Sequence, residues 1–160
     1  MATIIFIDID GVLVTEQSLR ADLQFLDAVT AFELYDPDCV EALNTIVREL
    51  DPEFVIHSSR RFQFSREEFS QIWEKSGVIT TRLRVLDTYG QNADQWFDGP
   101  NEEKVFDIEA FITENDLDSD SYLVVEDEKL DVNNLFLVDG VKGITPGDAE
   151  RIIALWRKRS

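Results

Sequence analysis

The sequence predicts an α/β fold built on a doubly wound parallel sheet, and three observations carry that prediction. Short apolar, β-branched runs recur along the chain. Amphipathic helical patterns with explicit start signals separate them. No repeat, low-complexity tract or Pro/Gly/Ser-rich linker divides the 160 residues, so one domain spanning 1–160 is expected. Strands that alternate with helices are joined by right-handed crossovers, which makes the sheet parallel.

The elements follow in order. Thr3–Ile7 (TIIFI) is nearly all apolar, as a strand buried on both faces would be. Asp36 and Pro37 open a helix to about Leu50, Asp36 as N-cap and Pro37 at the first helical position. Phe54–Ile56 reads as the second strand. Ser65-Arg66-Glu67-Glu68 is a capping box that starts a helix to about Ser76. Asp87–Pro100 reads as a long loop, in which Tyr89 and Trp96 either stack on a ligand or anchor the loop. Residues about 102–115 carry Val105, Ile108, Phe111 and Ile112 at helical spacing. Tyr122–Val125 and Leu135–Val138 are further strands. Thr145-Pro146-Gly147-Asp148 caps the last helix, where Arg157, Lys158 and Arg159 face the negative end of the dipole. Trp73 and Trp156 fall on helix faces and belong to the core.

Composition excludes several classes. With 33 acidic against 15 basic residues the formal charge is −18, which opposes an extended grip on nucleic acid or an anionic membrane. A local basic groove stays compatible with it. From Ser58 to Arg84 six basic residues stand against three acidic ones, net +3, and this segment marks where an anion would approach. One cysteine, Cys39, leaves no internal disulfide framework and suits a reducing cytoplasm. No apolar run approaches the ~20 residues of a membrane span. MATIIFIDID lacks a basic n-region and does not read as a signal peptide.

In open parallel sheets the ligand crevice lies beyond the carboxyl ends of the strands. Asp8-Ile9-Asp10-Gly11, His57-Ser58-Ser59-Arg60-Arg61 and Glu126-Asp127-Glu128 each follow an apolar run directly. Several carboxylates gathered at one edge repel each other unless a divalent cation neutralises them, and an all-oxygen shell suits Mg²⁺. A carboxylate beside such a cation can attack phosphorus, while its neighbour moves protons. His57, the single histidine, is expected to pack or hydrogen-bond near the strand end, with no catalytic role.

Asp8-Ile9-Asp10-Gly11-Val12-Leu13 resembles motif I, DxDGVL, of the haloacid dehalogenase-like (HAD) phosphohydrolase superfamily. The resemblance continues in chain order: Ser58 is similar to the motif II Ser/Thr, Lys104 to the motif III lysine, and Glu126-Asp127 to the acidic motif IV. It implies a Rossmann-like core with Asp8 as nucleophile and metal ligand, and Asp10 as general acid/base with its carbonyl on Mg²⁺. It further implies that Ser58 binds a phosphoryl oxygen, that Lys104 offsets charge on Asp8, and that Asp127 and Glu126 serve the metal. Motif IV begins with Glu rather than Asp, so the direct ligand is either Glu126 or Asp127, with Asp127 favoured. Lys104 keeps a second reading, as a solvated lysine at a helix start.

Ser58-Ser59-Arg60 resembles the Ser-x-Arg element in the phosphatase half of polynucleotide kinase-phosphatases. Together with Asp38-Cys39-Val40 and Leu43-Asn44 it is similar to HAD domains of RNA-repair proteins. Gly11, Ser59 and Arg60 are the expected substrate contacts, Arg60 as a bidentate partner of phosphate in the basic segment. The intervals that hold caps in this superfamily, 14–52 and 61–103, have no room for a full cap domain. The expectation is a capless Mg²⁺-dependent phosphomonoesterase acting on a nucleotide or nucleic-acid terminal phosphate. A HAD phosphatase for a small metabolite or phosphoprotein, or a silent HAD-like binding domain, are the alternatives.

Overall fold

In the computed structural model the described residues are 3–15, 35–58, 61, 64–80, 82–92 and 96–159. Five parallel strands, β1 (Ile4–Ile7), β2 (Glu53–Ile56), β3 (Leu83–Val85), β4 (Tyr122–Glu126) and β5 (Leu135–Leu137), lie in the order β3-β2-β1-β4-β5. Between and after them run α1 (Pro37–Leu50), α2 (Arg66–Ser76), α3 (Pro100–Glu114) and α4 (Pro146–Arg159). This is the α/β architecture the sequence predicts.

Alternate side chains of a strand point to opposite faces, and β1 uses both. Ile5 and Ile7 join a core with Leu43 of α1, Trp73 of α2 and Ile152 of α4. Ile4 and Phe6 join a second core with Ile108 and Phe111 of α3, the Phe6 and Phe111 rings meeting edge to face at 5.4 Å. Helices therefore cover both faces, and β1 is apolar throughout because neither face meets water.

Helix starts follow the sequence signals. Asp36 accepts the Asp38 amide ahead of Pro37. Ser65 and Glu68 form the reciprocal capping box. Thr145 and Asp148 form another, Oγ1 accepting the Asp148 amide at 3.1 Å and the carboxylate accepting the Thr145 amide at 2.9 Å. Trp73 and Trp156 are buried.

Two expectations change. The stretch from Leu83 to Val85 is a strand that the sequence reading leaves out, because it is three residues long and Arg84 interrupts its apolar pattern. An edge strand tolerates such charge. The loop read over Asp87–Pro100 also holds a 3₁₀ turn at Tyr89–Asn92, and α3 starts at Pro100 itself.

Chain order fixes where a site can form. The sheet grows from β1 through β2 to β3 on one side, then returns to add β4 and β5 on the other. Strand order thus reverses between β1 and β4, and a crevice opens beyond the carboxyl ends of strands at such a switch point. Asp8 follows β1 there, and Glu126 ends β4. Among the described residues no cap domain stands over this edge, and no helix is long and apolar enough to cross a membrane.

Candidate active site

The turn after β1 is set by which residues must be buried. Ile9, Val12 and Leu13 are inside, and the Ile9 carbonyl accepts the amides of Val12, Leu13 and Val14. That winding pushes Asp10 out to solvent and holds Gly11 at φ +79°. Asp8, at the strand end, is 5% exposed and accepts the Ile9 amide at 2.8 Å.

Asp8, Asp10, Gly11, Lys104, Asp127 and Gly140 all line one cleft of about 590 Å³ at the switch point. Asp127 lies against two glycines: a Cβ built on Gly11 or on Gly140 would press into its carboxylate. A Gly11→Ala variant therefore meets both left-handed backbone strain and this clash. It is expected to melt lower by the equivalent of about 1–3 kcal/mol, measured by thermal unfolding, and to lose activity with it.

Glu126 is fully buried behind Asp127, and among the described residues three donors and the His57 ring meet its two oxygens. Oε2 receives His57 Nε2 at 2.8 Å and Lys104 Nζ at 3.3 Å, while Oε1 accepts the amides of Asp127 at 3.1 Å and Glu128 at 3.4 Å. Lys104, 9% exposed, also stands 3.4 Å from Asp8 Oδ2. The surface-lysine reading of Lys104 does not hold, because α3 turns its side chain inward between two carboxylates. Asp8, His57 and Glu126 offer ligand atoms within 4.8 Å of one another, close enough for a metal, although Lys104 already puts an ammonium among them.

Charge is strained in this cluster. Burial pushes the Asp8 carboxyl well above its ordinary range, Lys104 pulls it back, and Glu126 adds to the rise. Burial acts to lower the Lys104 pKa, but Asp8 and Glu126 outweigh it and hold it above the usual lysine value. Burial would raise Glu126, yet its bond with His57 holds it below the ordinary carboxylate range. Asp127 is pushed up to about 7, by burial first and Glu126 next. Burial lowers His57.

His57 packs and hydrogen-bonds at the strand end as the sequence reading expects, with Glu126 as the partner that reading does not name. Two members of this neighbourhood escape sequence reasoning. Arg61 and Asp107 form a buried ion pair, and Arg61 also donates to the His57 carbonyl at 2.6 Å. Asp107 accepts the Gly90 amide at 2.7 Å, which ties the 3₁₀ turn to α3. Ser58 is fully buried at the same sheet edge and is not among the cleft-lining residues described. Ser59 and Arg60 lie outside the described residues.

The basic segment is not one surface. Arg61 turns inward, while Arg82 pairs with Asp51 and Arg84 with Glu53, at the end of the sheet where β2 and β3 begin. Strand direction separates Arg82 and Arg84 from Asp8, so these two do not form the anion approach expected of the segment, whose Arg60 lies outside the described residues. Tyr89 bonds Glu114 and packs against the second core, an anchor rather than a ligand platform. Trp96 is 85% exposed and so anchors nothing, whereas Phe97 packs on Phe106.

Residues 4–149 match the family described as the HAD domain in Swiss Army Knife RNA repair proteins. The chain belongs to this family. For a HAD domain the capless parallel sheet is the expected core, and family membership supports a HAD-type phosphohydrolase in general. No curated protein and no solved structure matches the chain. The donor chemistry of this HAD domain suits a hard divalent cation: Asp8, Asp10 and Asp127 bring only oxygen to the cleft, and two of them have carboxyls raised by burial and by Glu126.

Proposed function

We propose that this HAD domain hydrolyses phosphomonoesters with Mg²⁺, through a phosphoenzyme on Asp8. The observation that carries the reading is Asp8 itself, a buried carboxylate at the end of the central strand, facing Lys104 on the floor of an open cleft. Asp8 and Asp127, with the Asp10 backbone carbonyl, would hold the cation. Glu126 stays behind them as an anion whose lone pairs are already occupied. When bound, Mg²⁺ neutralises the crowded carboxylates and the oxygens of the phosphoryl group.

Asp8 Oδ attacks phosphorus, and the ester P–O bond breaks as the new acyl phosphate forms. Asp10, exposed at the mouth, gives its proton to the leaving oxygen and then takes one from the water that attacks the acyl phosphate. Phosphate departs and Asp8 is restored. Lys104 offsets negative charge on Asp8 and on the transferred group. Ser58, from the end of β2, is assigned to a phosphoryl oxygen, with Gly11, Ser59 and Arg60 as further substrate contacts. The proposed substrate is a terminal phosphate of a nucleotide or nucleic-acid end, which the family description and the Ser58-Ser59-Arg60 element support. A chain of net charge −18 suits contact with an end rather than a long polyanion.

An assay on a generic aryl phosphate, with Mg²⁺ and with chelator, tests the reaction. Turnover is expected with Mg²⁺ only, and Asp10→Asn is expected to lose about 10²–10⁴-fold. Turnover unaffected by chelator would overturn the metal assignment. Comparing 3′-phosphorylated oligonucleotides with mononucleotides and sugar phosphates tests the substrate.

Cation binding should also depend on pH. An Asp127 carboxyl near 7 keeps a proton that the unfolded chain loses at about 3.9, so its contribution to stability falls as pH rises between those values. Deprotonation is what frees this carboxylate for a cation. The rise in melting temperature on adding Mg²⁺ is therefore expected to be larger at pH 8 than at pH 6, and an Asp127→Asn variant should lose that difference.

A further inference from the structure

We propose that His57 is a positioning residue for the phosphoryl transfer, acting through Glu126 to hold Lys104 against Asp8. The proposal rests on the reaction assigned to Asp8 above. His57 is fully buried, with Nε2 2.8 Å from Glu126 Oε2, and its Nδ1 has no hydrogen-bond partner among the described residues.

Those two facts fix the proton. An imidazolium would bury an Nδ1–H with nothing to accept it. The tautomer protonated on Nδ1 would turn a lone pair toward a carboxylate. The ring is therefore neutral, carries its proton on Nε2 and donates to Glu126.

The rest follows from occupancy of the Glu126 oxygens. Oε1 is held by the amides of Asp127 and Glu128, so the backbone after β4 anchors one side of the carboxylate. Oε2 receives two side chains, His57 at 2.8 Å and Lys104 at 3.3 Å. With the imidazole seated there, the ammonium does not close into a tight pair with Glu126. It stays shared, 3.3 Å from Glu126 and 3.4 Å from Asp8.

Remove the imidazole donor and Oε2 loses its nearer partner. A buried carboxylate short of donors attracts the remaining cation more strongly, because charges are weakly screened there. Nζ then moves toward Glu126 and away from Asp8. The nucleophile is left with less of the charge that steadies it. His57 does not line the cleft, so substrate entry is untouched. The chemical step should suffer while binding does not.

The test uses the full chain with Mg²⁺ and an aryl phosphate, comparing wild type, His57→Gln and His57→Met. Gln presents an amide N–H near the place of Nε2, and Met fills the space without a donor. His57→Gln should keep kcat within about threefold, whereas His57→Met should lose about 10–100-fold in kcat with KM within about twofold. Thermal melts establish that each variant folds. If His57→Met does not, His57→Asn replaces it, since its shorter amide does not reach Glu126. A non-donor variant that matches wild type overturns the proposal, as does a folded His57→Gln that falls as far as His57→Met. A wild type without turnover overturns the reaction reading and this proposal with it; an active wild type with indifferent His57 variants overturns this proposal alone.

Discussion

Asp8→Asn is expected to fold, to melt above wild type in the absence of metal, and to lose turnover by about 10⁴-fold or more. The loss follows from chemistry: an amide does not form the acyl phosphate that the carboxylate forms. The gain follows from burial. Asp8 is 5% exposed, and its carboxyl is raised well above the ordinary range, first by burial. A carboxyl whose folded pKa exceeds its unfolded value of about 3.9 stabilises the fold only while protonated, so its contribution declines as pH climbs above that value. Asn has nearly the same shape and no charge to desolvate. The difference in melting temperature between variant and wild type should therefore widen from pH 5 to pH 8. Activity that survives Asp8→Asn would remove this residue from the reaction.

Asp107→Ala should produce the largest loss of stability, about 3–5 kcal/mol in denaturant unfolding. The Arg61 side chain is 2% exposed and Asp107 is not exposed at all, so removing the carboxylate breaks a buried ion pair from one side and leaves the guanidinium's charge less compensated. Burial raises the Asp107 carboxyl and lowers the Arg61 guanidinium, each shift opposed by the other group, so the core disfavours either charge and the pair offsets part of that cost. The Gly90 amide loses its acceptor in the same variant. The double variant Arg61→Met with Asp107→Leu removes both charges, and it should recover part of the loss. A sum of single effects without recovery would show that the pair is not coupled.

How much of this was legible depended on the range over which a signal acts. The caps at Asp36, Ser65 and Thr145 are local, and each helix begins where its cap stands. Asp8 and Asp10 were visible because a buried strand runs straight into a turn that expels polar residues. Lys104 was visible through its resemblance, whereas its inward direction came only from the packing of α3 on the sheet. His57 and Glu126 are separated by 69 residues, and Arg61 and Asp107 by 46. Nothing in the spacing records those partners, which meet because β2 and β4 flank β1 and because the chain after β2 reaches over to α3. The basic segment divides for the same reason. Its charges are close in sequence, but the crossover through α2 returns the chain to the end where β2 begins, and Arg82 and Arg84 stand there, away from Asp8.

The pairing of β1 with β4 sets the moment in the life of the chain when chemistry can begin. Ile4 aligns with Tyr122 and Ile7 with Val125, so the two walls of the switch point are among the most widely separated segments to touch. Contacts of such high order form late, and a ribosome adding about 5–20 residues per second releases the amino-terminal strand several seconds before its partner exists. Until Tyr122–Glu126 is made, the edge of β1 that pairs with β4 has no strand to cover it. A nascent chain halted before Tyr122 would present Asp8 without Glu126 or Asp127. The proposed site and the closing of the central sheet are therefore completed by the same late event.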